Sequence, residues 1–123
     1  MIVYLTRETV SAGDDCDAPH AHRFAMSDEW TWEELVELAR VEARLPFIQG
    51  GLATWGLSSN FPLAVVAQQW TQAKLLFLTR ADRGRLDWHD GELWLHWSYF
   101  QQLNPNLVHQ VLRDLKLRAA ATS

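Results

Sequence analysis

The sequence predicts one α+β domain over residues 1–123, a largely antiparallel sheet of about six or seven strands with two helices packed on it. Three observations predict it. Short β-branched and aromatic runs recur between turn residues, without the strand–helix alternation that a parallel βαβ sheet needs. Two stretches, near residues 32–43 and 105–115, place apolar residues at helical spacing. Finally, 123 residues with 48% hydrophobic and 21% charged content suit one core and leave no room for a second domain.

In chain order, Ile2-Val3-Tyr4-Leu5-Thr6 is apolar on both faces and reads as an interior strand. Arg23-Phe24-Ala25-Met26 reads as its return partner across a long polar loop. Thr31-Trp32-Glu33-Glu34 has capping-box spacing and starts a helix. Trp32, Leu35, Val36, Ala39 and Ala43 form its apolar stripe, and Pro46 stops it near Arg44.

Two strands follow, at 53–58 and 62–68, joined at Ser59-Asn60-Phe61. Lys74-Leu75-Leu76-Phe77-Leu78-Thr79 is almost continuously apolar, which predicts a central strand, and residues 80–85 form a basic loop. Asp90-Gly91 signals a hairpin whose second arm puts Leu93, Leu95, Trp97 and Tyr99 on one face. Asn104-Pro105 opens the last helix, with Leu107, Val108, Val111, Leu112 and Leu115 as its stripe and 118–123 as a frayed tail.

Charge divides the chain unevenly. Residues 1–42 carry ten carboxylates against three arginines, a balance of −7, while the remainder is +3 and the whole −4. Such a first third disfavours nucleic acid and suits a basic protein partner. Trp30, beside Asp28 and Glu29, is the aromatic placed to anchor it, with Asp14, Asp15, Asp17, Glu29, Glu33 and Glu37 as a charged rim. Arg80, Arg83 and Arg85 with Trp88 form a weaker nucleic-acid candidate, which the net acidity opposes. No run approaches the roughly 18 apolar residues of a membrane span and no basic leader opens the chain, so a cytoplasmic protein is expected. The single cysteine, Cys16, agrees with a reducing compartment.

Residues 13–22 concentrate the polar chemistry. Asp15, Asp17, His20 and His22 supply the ligands for an alternative reading as a small metal-binding protein or hydrolase. Against it, no HExxH, paired CxxC or calcium-loop spacing is present, and the aspartates suit turn caps before Pro19. Neighbouring carboxylates raise rather than lower the pKa of a thiol such as Cys16. Gly50-Gly51 lacks the context of a phosphate loop. The expectation is therefore no catalytic residue and no cofactor.

Tyr4-Leu5-Thr6-Arg7, Ala12-Gly13-Asp14-Asp15, Asp17-Ala18-Pro19-His20, Gly50-Gly51-Leu52-Ala53-Thr54-Trp55 and Ala64-Val65-Val66-Ala67-Gln68-Gln69-Trp70 carry a resemblance. In these stretches the chain resembles small bacterial immunity proteins of contact-dependent growth inhibition and related polymorphic-toxin systems. The resemblance implies a non-enzymatic cytoplasmic binder that neutralises a cognate toxin domain; a monomer before complex formation is expected. It carries over no active-site residue.

Overall fold

Strand β1 (Ile2–Arg7) lies inside the sheet, between β2 (Ala21–Ala25) and β7 (Glu92–Tyr99). This computed structural model describes residues 1–15, 19–46 and 50–122, excluding the side chains of Ala12, Asp15 and 119–122. With β3 (Thr54–Ser59), β4 (Phe61–Ala67) and β5 (Lys74–Leu75) the sheet runs β2-β1-β7-β3-β4-β5, and β6 (Trp88–His89) pairs with the start of β7. All neighbours are antiparallel except β1 and β7, which run parallel with Val3 opposite Leu93 and Arg7 opposite Trp97. The expected α+β class and strand number are therefore present.

Turn chemistry explains the hairpins. Asn60 takes the left-handed conformation (φ 65°) between β3 and β4, and Asp90 and Gly91 (φ 51° and 81°) match the two positive-φ positions of the tight turn between β6 and β7.

Helix α2 (Trp32–Ala43) starts at Thr31, whose hydroxyl accepts the Glu34 N–H at 3.2 Å, and ends at Arg44 in the left-handed region (φ 47°). Its buried Leu35, Val36 and Ala39 join one core with Val3, Leu5, Trp55, Leu57, Leu93, Leu95 and Trp97. Trp97 Nε1 donates to the Ala39 carbonyl at 3.2 Å, which gives this buried indole its partner.

Helix α3 (Pro105–Thr122) takes the other face, where Val108 and Leu112 pack with Val65, Leu76 and Phe100. Asn104 Oδ1 accepts the Asn106 N–H at 3.0 Å, so the expected start is present. Gly56 matters here: a Cβ at this position would lie 2.6 Å from a Phe100 ring carbon.

Three expectations need correction. The apolar run 74–79 is not a central strand, because only Lys74–Leu75 pairs, at the sheet's edge. Leu76 is buried under α3, Leu78 packs on the α2 core, and Phe77 is 71% exposed, so the run serves separate surfaces instead of two faces of one strand. The basic loop is a 3-10 turn (Arg80–Arg85), capped reciprocally by Thr79 and Asp82. In α3, Leu107, Val111 and Leu115 are exposed, because the helix touches the sheet along one seam over β4.

Candidate functional site

The polar loop that follows β1 is tied down from within. Arg7 donates to both Asp14 oxygens, at 2.7 and 2.8 Å, and the Val10 N–H donates to Asp14 Oδ2 at 3.0 Å. Ser11 Oγ accepts the Asp14 N–H at 3.2 Å, so the short helix α1 (Ala12–Asp15) is held at its start. The Arg7 guanidinium keeps the Asp14 carboxyl ionised well below the usual carboxylate range, against a burial effect in the other direction. Asp14 is consequently an internal tie, with little of it left for a rim.

His20, whose side chain is 10% exposed, brings Nε2 to 3.3 Å from Asp14 Oδ2, the distance of an ion pair without the geometry of a hydrogen bond. Beside it, His22 Nε2 and Glu42 Oε2 meet at 2.7 Å across the gap between β2 and α2. A cavity of about 420 Å³ opens there, lined by Arg7, His20, His22, Glu42 and Arg44 among others. The two histidines thus belong to separate carboxylate pairs. Among the described residues, no group of three or more His, Cys, Asp or Glu is placed to hold a metal ion. Cys16 and Asp17 lie outside the described residues, as does the Asp15 side chain.

The acidic surface is carried instead by the segment from Asp28 to Glu42. Asp28, Glu29, Glu33, Glu34 and Glu37 are exposed and Glu42 is half-buried, against one base, Arg40. Arg40 grips Glu37 through two nitrogens, which lowers the Glu37 pKa and raises that of the guanidinium. Of the expected rim, Glu29, Glu33 and Glu37 stand on this surface. Trp30 does not stand out as an exposed anchor: it is 4% exposed, edge-on to Trp32 at 5.0 Å, with the Arg83 guanidinium 4.2 Å above its ring. Arg83 also donates to the Trp30 carbonyl. The indole is needed to close the core, which removes it from the surface.

Sequence reasoning missed the apolar part of the surface. Met26, Leu38 and Val41, with Ser27, Glu34 and Glu37, line an open groove of about 440 Å³ beside α2 and the end of β2. Val41 is 56% exposed. The signal was present, because Leu38 and Val41 are apolar residues off the buried stripe of an amphipathic helix, spaced three apart and so on one face.

No membrane-crossing helix is present among the described residues, none being long and apolar enough. Comparison with family models, with curated proteins and with solved structures finds no match to this chain.

Proposed function

We propose that this chain is an immunity-type inhibitor, a non-catalytic cytoplasmic protein that binds a cognate basic toxin domain, such as a nuclease, and occludes it. The carrying observation is the segment from Asp28 to Glu42, six carboxylates against one arginine, four of the six on helix α2, whose other side is fixed in the core. Charge of one sign on a rigid element speeds encounter with a basic partner, and adjoining apolar surface slows release. The short stretches within residues 4–70 that resemble immunity proteins suggest the same reading. The carboxylates on the face of α2 and before it, Glu29, Glu33 and Glu37, form the rim in this reading.

The test is a search of the genes flanking this chain's own for a toxin domain, whose absence would count against the reading, followed by co-expression with that domain. Growth should be rescued by the wild type, and a complex of the purified proteins should weaken as salt rises. Reversing Glu29, Glu33 and Glu37 to lysine should reduce affinity at least about tenfold, equivalent to about 1.4 kcal/mol. No rescue and no complex would overturn the reading.

A further inference from the structure

Strand β2 is an edge, and its hydrogen-bonding polarity follows from its register with β1. The Met26 N–H donates to the Met1 carbonyl at 3.0 Å and the Arg7 N–H to the His20 carbonyl at 3.2 Å, with Val3 opposite Phe24 and Leu5 opposite His22 between them. Hydrogen-bonded pairs alternate along an antiparallel ladder, so positions 20, 22, 24 and 26 face β1 and positions 21, 23 and 25 present their backbone groups outward. The Ala21 N–H turns back to the Pro19 carbonyl at 3.1 Å. Arg23 and Ala25 therefore offer their N–H and C=O groups away from the sheet, and no strand among the described residues pairs with them.

Edges of this kind are ordinarily blunted by proline, by free lysine or by a bulge. The charges on β2 are already engaged elsewhere. Arg23 lies 4.3 Å over the Tyr4 ring and reaches Glu92 at 3.3 Å on one face, while His22 pairs with Glu42 on the other. Just past the end of the edge strand, at Met26, opens the apolar groove of Met26, Leu38 and Val41, walled by Glu34 and Glu37.

We infer that β2 takes up an extended segment of a partner protein as an added strand, a segment that carries apolar and basic side chains on its groove-facing side. The outward groups of Arg23 and Ala25 supply the main-chain bonds, the groove takes the apolar side chains and the acids of α2 meet the basic ones. Charge selects this occupant over a second copy of the chain, because two copies edge to edge would bring two sets of α2 carboxylates together. The inference rests on the reading of the chain as a binder of a basic partner, and names the mode of contact.

The probe is an end-capped peptide of about eight residues, Lys-Thr-Val-Thr-Lys-Thr-Val-Thr, with a counterpart that has glutamate for lysine. Titration into the isotopically labelled chain should shift the amide signals of residues 21–26 and slow exchange of the Arg23 and Ala25 N–H groups, and the glutamate peptide should do neither. Ala25→Pro removes one outward donor without touching the β1 ladder, and Glu34→Lys alters an exposed wall of the groove. Each should weaken the lysine peptide at least about tenfold, so a folding defect in one leaves the other as the test. Equal binding by either folded variant, shifts centred on α3, or dimerisation at this edge without peptide would overturn the inference. A toxin domain bound equally by wild type and Ala25→Pro would refute the added strand while leaving the inhibitor reading intact. A toxin domain that wild type does not bind would refute the inhibitor reading, while the peptide still judges the edge.

Discussion

The two edges of the sheet end differently. At the β5 edge, two paired residues are followed by a segment that α3 covers: His109 Nε2 donates to the Leu75 carbonyl at 2.9 Å, and Lys116 donates to the Phe77 carbonyl and, at 3.2 Å, to Asp82. Asp82, 6% exposed, also accepts the Thr79 N–H at 2.8 Å. Burial pushes the Asp82 carboxyl up, but the Thr79 N–H and Lys116 outweigh it and the net shift is downward. At the β2 edge, five paired residues lead to an open groove at Met26, with their side-chain charges spent on the two faces. One edge is closed by side chains drawn from a distant helix; the other keeps its backbone available. A sheet needs only one free edge to recruit a strand, and closing the second limits self-association.

Five substitutions sharpen this contrast, and the largest effect belongs to the closed edge. Asp82→Ala leaves the Thr79 N–H without its acceptor and Lys116 without its counter-charge and should cost about 3 kcal/mol in urea denaturation, and a loss under about 0.5 kcal/mol would show that the closure is held otherwise. Asp14→Ala strands the half-buried Arg7 beside the open edge and should cost about 2 kcal/mol by the same measurement.

The Asp14 carboxyl also predicts a pH response. Its folded pKa lies below the unfolded value near 4, so its contribution is complete above about pH 4 and falls away as pH drops toward the folded value. Stability of the wild type should therefore decline on acidification below about pH 4, and Asp14→Asn should flatten that decline. A smaller change, His109→Ala, deprives the Leu75 carbonyl of its donor and should cost about 1 kcal/mol. Smallest of all, Ala25→Pro should shift stability by less than about 1 kcal/mol, because the N–H it removes bonds no strand; a loss of several kcal/mol would mean that the edge is already occupied.

Much of this architecture was legible in residue patterns. Capping at Thr31 and Asn104, the Asp90-Gly91 turn and the alternation of Leu93, Leu95 and Trp97 are local signals, and each lies where its chemistry required. What local pattern could not supply was position in the sheet. The run 74–79 is as apolar as a central strand, yet its residues divide between two cores and solvent, a distribution fixed by α3 and α2 packing from opposite faces. The same limit applies to the candidate site. Carboxylates at 29, 33 and 37 were readable as an exposed face, but Trp30 looked equally exposed until Trp32 and Arg83 enclosed it. Asp14 read as rim until Arg7 claimed both its oxygens. Strand neighbours decide which edge is open, and no residue of β2 announces that.

The parallel pairing of β1 with β7 bears on how the chain reaches this state. Thr6 and His96, 90 positions apart, meet at 2.6 Å, and the pairing sits in the middle of the sheet. Hairpins β3–β4 and β6–β7 can close over short loops at once, whereas the β1–β2 arm must search for β7 across nearly the whole intervening sequence. During synthesis that arm emerges before β7 and waits for its neighbour, with Val3, Leu5 and Phe24 not yet covered by it. Docking of β1 is thus the natural late step, slow because its contacts are long-range, and the interval before it is when the apolar arm is most open to aggregation.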